Sequence, residues 1–222
     1  MLQLPKGDCR QIRDIGLEGE SLKEDAMESY TRFPDRKISG AGPVSNCFQN
    51  LGIKRFVDAC RFVHELPYGY NSDRDDLLIL FKENLGSCTT KHAVIAALAA
   101  ELDLQVVKKI GIYAMTETIV TGTGRILEKY GLPCIPMVHC FLSNEAFHVD
   151  LTEGNANGKN CSIEQFIHTE TVIPNISEKE EYLLYRNVLK EKILKEGMLA
   201  GIEMKIILRA REEGIAILKA NI

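Results

Sequence analysis

One thiol in this chain stands at a junction between two kinds of backbone. In NLGSCTTKHAVIAALAAEL, residues 84–102, Cys88 follows a glycine-containing turn and opens an alanine-rich stretch. A thiol at a helix start meets free N–H groups and the positive end of the backbone dipole. Both favour thiolate, the form that attacks carbonyl carbon. The same position also suits an inert buried cysteine, since free Cys is among the most buried residue types. A base and a group that orients it separate the two readings.

The stretch MVHCFLSNEAFHVDLTEG, residues 137–154, supplies both. Val138 to Leu142 and Ala146 to Leu151 alternate as strands, and a hairpin turning at Asn144-Glu145 would oppose Phe141 to His148 and His139 to Asp150. Directly opposed Cβ atoms lie about 4.5–5.5 Å apart, within reach of an imidazole–carboxylate hydrogen bond. His139 is therefore the expected base and Asp150 its orienter. His148 shares that face but stands diagonal to His139 and is the second choice. His92 lies one turn after Cys88 and reads as a helix histidine rather than a base.

Gly86-Ser87-Cys88, then His139-Cys140-Phe141, then Asp150-Leu151-Thr152 follow one another in this order. In that order and spacing the chain resembles the transglutaminase-like superfamily of papain-like cysteine enzymes over roughly residues 56–152. Phe141 stands where the family pattern has tryptophan and Leu151 where it has proline, and neither change removes a reacting group. The resemblance implies Cys88 as nucleophile, His139 as general base and later acid, and Asp150 as orienter, with a thioester on Cys88. Backbone N–H groups at the helix start are the expected oxyanion donors, and a side-chain donor from the Tyr68–Tyr70 stretch stays open. The reaction expected is hydrolysis of an amide bond in a peptide or protein, as a thiol hydrolase or cysteine protease. Acyl transfer to an amine and a catalytically silent protein-binding domain are the alternatives.

The elements that must hold these residues read as an α+β fold, with a transglutaminase-like, papain-like core. Residues 1–50 form an N-terminal extension, 51–175 the core with the nucleophile helix on an antiparallel sheet, and 176–222 C-terminal helices packed on it. Ile53 to Leu66 repeats apolar residues at helical spacing, and Asp73 is expected to open a helix carrying Leu77, Leu78, Leu80 and Phe81, ended by Gly86. Five alanines within residues 93–100 leave little bulk, so that helix is expected at the centre, against a sheet. Strands are expected at 105–113, 135–142 and 146–151, a short helix between Gly122 and Gly131, and a loop at 151–160. Ser177 with Glu180 forms a capping box for a helix reaching about Gly197. A further helix carries Leu199, Ile202, Ile206 and Ala210 on one face.

Composition narrows the function classes. Hydrophobic residues make up 45% and charged residues 26% of 222, enough for a packed core. A net charge of −4 without a basic run speaks against a nucleic-acid surface. No stretch approaches the ~20 apolar residues of a membrane span, and the first residues lack a signal-peptide core. Seven cysteines without CxxC spacing suit reduced thiols in the cytoplasm rather than a disulfide framework. No cofactor or metal is expected. The Gly-x-Gly at 122–124 lacks the lysine of a phosphate loop. A zinc site of Cys88, His92, His139 and Cys140 is disfavoured because neighbouring strand residues should point to opposite faces. Alternating Lys and Glu on the C-terminal helices read as solvated faces, with a homo-oligomer contact as the other use.

Overall fold

The computed structural model describes residues 29–145 and 147–222. A 3-10 turn at Ser29–Arg32 precedes four helices, α1 Pro43–Asn50, α2 Phe56–Glu65, α3 Ile79–Glu83 and α4 Cys88–Glu101. Strand β1 Val107–Met115, helix α5 Thr123–Tyr130, and strands β2 Ile135–Asn144, β3 Phe147–Val149 and β4 His168–Val172 follow. Helix α6 Glu178–Val188 continues as a π-helical turn over Leu189–Ile193, and after a 3-10 turn α7 Met204–Ala220 closes the described chain. The four strands form one antiparallel sheet in the order β3-β2-β1-β4. This is an α+β fold. No helix among the described residues is long and apolar enough to cross a membrane.

Helix α4 is buried along almost its whole length, Cys88 through Ala99, as its small side chains allow. It packs on β1 and β2, and its Val94, Ile95 and Leu98 share a core with Phe48 of α1, Phe56 and Val63 of α2 and Leu142 of β2. A second apolar cluster joins β1, β2, α6 and α7 through Tyr113, Met137, Tyr185, Ile207 and Ala210. The central strands consequently show no in–out alternation in burial, because both faces of the sheet are covered.

Several element boundaries differ from expectation for local reasons. Helix α2 starts at Phe56 rather than Ile53, because the Ile53 N–H closes the end of α1 on the Phe48 carbonyl and Arg55 bridges Lys37 in extended form. Asp73 opens no helix. Asp73 and Asp76 instead accept the N–H groups of Asp75 and Leu78, at 3.0 Å each, in Asx turns that delay α3 to Ile79. That helix ends on Asn84, whose φ of 54° is left-handed, and not on Gly86. Gly122 and Gly131, both with positive φ, bound α5 as expected. The Ser177–Glu180 capping box opens α6, but the helix stops at Val188. The buried face of α7 is Ile207, Ala210, Gly214 and Leu218, with Leu199 and Ile202 outside the helix. Strand β4, HTETV, was not anticipated, since a polar edge strand carries no apolar alternation.

Candidate active site

Ser87 is the N-cap of α4, and its N–H donates to Thr90 Oγ1 at 3.0 Å, so helical backbone begins at Cys88 itself. Gly86 is crowded: a Cβ there would come within 2.8 Å of Thr90 Oγ1 and 3.0 Å of Leu80. The preceding segment is pinned alongside by Gly69 N–H to the Gly86 carbonyl at 3.2 Å and Gly86 N–H to the Pro67 carbonyl at 3.1 Å. That pairing brings Tyr68 into the cavity wall that also holds Cys88.

His139 lies in the middle of β2, 2% exposed, and its Nε2–H donates to Asp150 Oδ2 at 2.6 Å. The Cys88 thiol and the His139 imidazole line the same cavity, and the charge of each favours that of the other. The expected trio thus meets in one place, but by another route than the expected register. Strand β2 runs on to Asn144 and pairs Leu142 with Val149, Ser143 with His148 and Asn144 with Phe147. The hairpin therefore closes on the Asn144–Phe147 pair, two residues of register away from the expected pairing. Strand β3 ends at Val149, so no ladder opposes Asp150 to His139. A slip of two keeps every side chain on its face, and Asp150 then folds back as an Asx turn. Its Oδ1 accepts Thr152 N–H at 2.8 Å and Thr152 Oγ1–H at 2.7 Å, which turns Oδ2 toward His139. His148 is exposed, packs its ring on Phe141 at 5.0 Å and meets Ser143 Oγ at 3.0 Å. It has no contact with Asp150.

Electrostatics separate the members. Contact with the Cys140 thiol, with the His139 cation and Lys159 adding, outweighs burial and holds the Cys88 thiol well below its ordinary range. Burial pulls His139 down, yet the Asp150 carboxylate prevails and lifts it to about 9. Asp150 is pushed below the usual carboxylate range, its burial being outweighed by the charge and hydrogen bond of His139. Both shifts favour the thiolate–imidazolium pair over the neutral one. Cys140 goes the other way: its contact with Cys88 and its burial push its thiol well above its ordinary range.

Sequence reasoning missed four supports. His92 is fully buried. Leu151 N–H donates to its Nε2 at 2.8 Å, which leaves Nδ1–H to donate to the Cys88 carbonyl at 2.6 Å. Burial holds it neutral, down to about 4. Lys91, also buried, donates to the carbonyls of His64 and Leu66 and to Asn155 Oδ1, at 3.2, 2.5 and 2.6 Å. His64 Nδ1–H donates to the Leu151 carbonyl at 3.1 Å. Helices α2 and α4 thereby clamp the loop that carries Asp150. The fourth is Phe166, whose ring stacks on Phe141 at 4.9 Å and lies parallel to His139 at 6.5 Å. Its place exists because residue 111 is glycine: a Cβ there would stand 2.2 Å from the ring.

Cys140 and His139 both reach Cys88, so the alternation argument against a zinc site does not hold. Both ring nitrogens of His92 are already engaged, however, and no group of three His, Cys, Asp or Glu among the described residues could hold a metal ion. The described cysteines other than Cys88 and Cys140 are likewise free thiols, and Cys9 lies outside the described residues. Cys88 and His139 open onto a cavity of about 200 Å³ walled by Tyr68, Tyr70, Tyr113 and side chains of α7. The chain has no match among protein-family models, curated proteins or solved structures.

Proposed function

We propose that this cleft is a thiol acyl-transfer site of a transglutaminase-like, papain-like core and that it hydrolyses an amide bond in a peptide or protein. The observation that carries the reading is His139, bonded to the Asp150 carboxylate and lining one cavity with the Cys88 thiol. The Cys88 thiolate adds to the amide carbonyl, and the oxygen gathers negative charge. The Cys88 backbone N–H at the start of α4 and the Tyr68 hydroxyl in the same cavity wall are the donors proposed for that oxygen. Imidazolium His139 gives its proton to the departing amine, leaving a thioester on Cys88. Neutral His139 then takes a proton from water as it attacks, and the carboxylic product leaves the thiolate free. Asp150 keeps the imidazole in the tautomer and orientation that serve both steps.

Brief treatment with iodoacetamide at about pH 6, followed by mass mapping, tests the reading. An ordinary thiol, pKa ~8.5, is almost wholly protonated there. Cys88 should be labelled well before the other six thiols. Labelling no faster than at Cys47 or Cys161 overturns the nucleophile. Product analysis with an added amine separates hydrolysis from amine transfer.

A further inference from the structure

The Cys88 cavity carries a charge opposite to that of the chain. Four cationic side chains line it, Arg74, Lys159, Arg211 and Lys219, against two carboxylates, Glu178 and Glu181. Arg74 and Glu181 cancel through a two-pronged contact at 3.1 and 2.6 Å. Three cations then face one carboxylate, in a protein whose net charge is −4. None of the three has an ion-pair partner among the described residues. Each lies instead over an aromatic ring: Lys159 over Tyr68 at 5.8 Å, Lys219 over Tyr70 at 4.8 Å and Arg211 over Tyr185 at 4.7 Å. A ring face is a weaker partner than a carboxylate and yields to one. Arg211 Nε is, besides, a buried donor without an acceptor.

We propose that the cleft takes an acyl donor bearing an anionic group beside the bond that is opened, held by Lys159 together with Arg211 and Lys219 of α7. The proposal rests on the acyl-transfer reading and adds its substrate class. It also gives the C-terminal helix a task. Ile215 and Leu218 of α7 form an apolar stretch of the same wall, and the helix end sits tightly on the loop at Gly158, where a Cβ would meet the Leu218 carbonyl at 2.8 Å. Helix α7 therefore stands as a fixed side of the cleft that presents two cations to it. A low-dielectric cleft of one sign concentrates ligands of the other. Guanidinium forks and ammonium groups suit a carboxylate or a phosphate, and with a volume of about 200 Å³ the cleft encloses one small group rather than a long segment.

Two alkylating reagents of equal shape test this. Iodoacetate carries a carboxylate and iodoacetamide does not, and exposed Cys161 supplies the reference within the same chain. The iodoacetate-to-iodoacetamide rate ratio at Cys88 should exceed that at Cys161 by roughly tenfold at low salt and shrink at ~1 M salt. The Arg211→Gln/Lys219→Gln variant should bring the ratio down to that of Cys161. Lys159→Gln, on a loop, should lower it in the same direction should the double variant fold poorly by circular dichroism. Equal ratios at the two thiols, or a high ratio that these variants leave unchanged, would overturn the subsite while leaving the nucleophile in place. Slow reaction of Cys88 with both reagents would instead remove the nucleophile, and the subsite with it. Protection of Cys88 from iodoacetamide by glutarate points to a carboxylate on the donor, and protection by inorganic phosphate alone points to a phosphate. Protection by neither counts against the proposal.

Discussion

The second turn of α4 and the middle of β2 each hold a buried histidine, their rings 6.4 Å apart, and the two regions treat that side chain in opposite ways. His92 is drawn down to about 4 and is neutral, while His139 is raised to about 9 and is charged. Burial alone disfavours the cation equally at both. The difference lies in the partners. His92 gives one nitrogen to a carbonyl and takes an N–H on the other, an arrangement that only a neutral ring can satisfy. His139 meets a carboxylate and lines one cavity with a thiol, an arrangement that an imidazolium satisfies best. Asp150 stands near both, at 2.6 Å from His139 Nε2 and 3.5 Å from His92 Nε2, so distance and hydrogen bonding select which ring it charges. One histidine is charged by its carboxylate partner and the other holds backbone.

Removing the charged member should give the largest effect. His139→Ala should slow Cys88 alkylation at pH 6 and any turnover by about 10²–10⁴-fold, the usual reach of a general base. A loss as large in His148→Ala, with folding intact by circular dichroism, would break the assignment. Next comes Asp150→Asn. The carboxamide cannot stabilise the imidazolium, so the His139 pKa should fall from about 9 toward ~6.5 by NMR titration. Wild-type turnover should persist until pH rises through about 9, because the donated proton is held up to there, and the variant should fail above ~6.5. The same sign applies to stability. His139, raised in the folded state, contributes fully below ~6.5, and the contribution is lost as pH rises through about 9. The melting-temperature gap between wild type and variant should therefore narrow above pH 9. Combining Asp150→Asn with His139→Ala should add little further loss, since the two act as one unit.

His92→Gln sharpens the contrast from the other side. Leaving the Leu151 N–H or the Cys88 carbonyl unpaired in the interior should cost about 1–3 kcal/mol by denaturant unfolding. The pH at which Cys88 alkylation begins should move little, because His92 carries no charge at the site. A thiolate onset displaced as far as in His139→Ala would show that the two histidines share one task. The smallest effect belongs to His148→Ala, expected to cost no more than about 1 kcal/mol, the usual net worth of its one hydrogen bond to Ser143 Oγ. Its alkylation rate at Cys88 should match wild type.

Much of this site is legible in the chain because it rests on short-range signals. The turn before Cys88, the alanine-rich helix after it and the strand that carries His139 all follow from neighbours within a few residues. The order of thiol, imidazole and carboxylate is visible for the same reason. The hairpin register escaped because a slip of two leaves the alternation unchanged. Asp150 still meets His139, through an Asx turn with Thr152 rather than a ladder. Phe166, β4 and the wall made by α7 escaped because nothing local distinguishes them from ordinary surface.

Residue types, their order and the helix start at Cys88 were settled by the sequence alone, since each depends on backbone preferences and side-chain chemistry a few residues apart. Which histidine is charged, which loop holds Asp150 still, and which cations line the cleft were decided by the tertiary structure. Those properties depend on burial and on groups as far apart in the chain as Cys88 and Arg211 that line one cavity, and local pattern carries no record of such meetings.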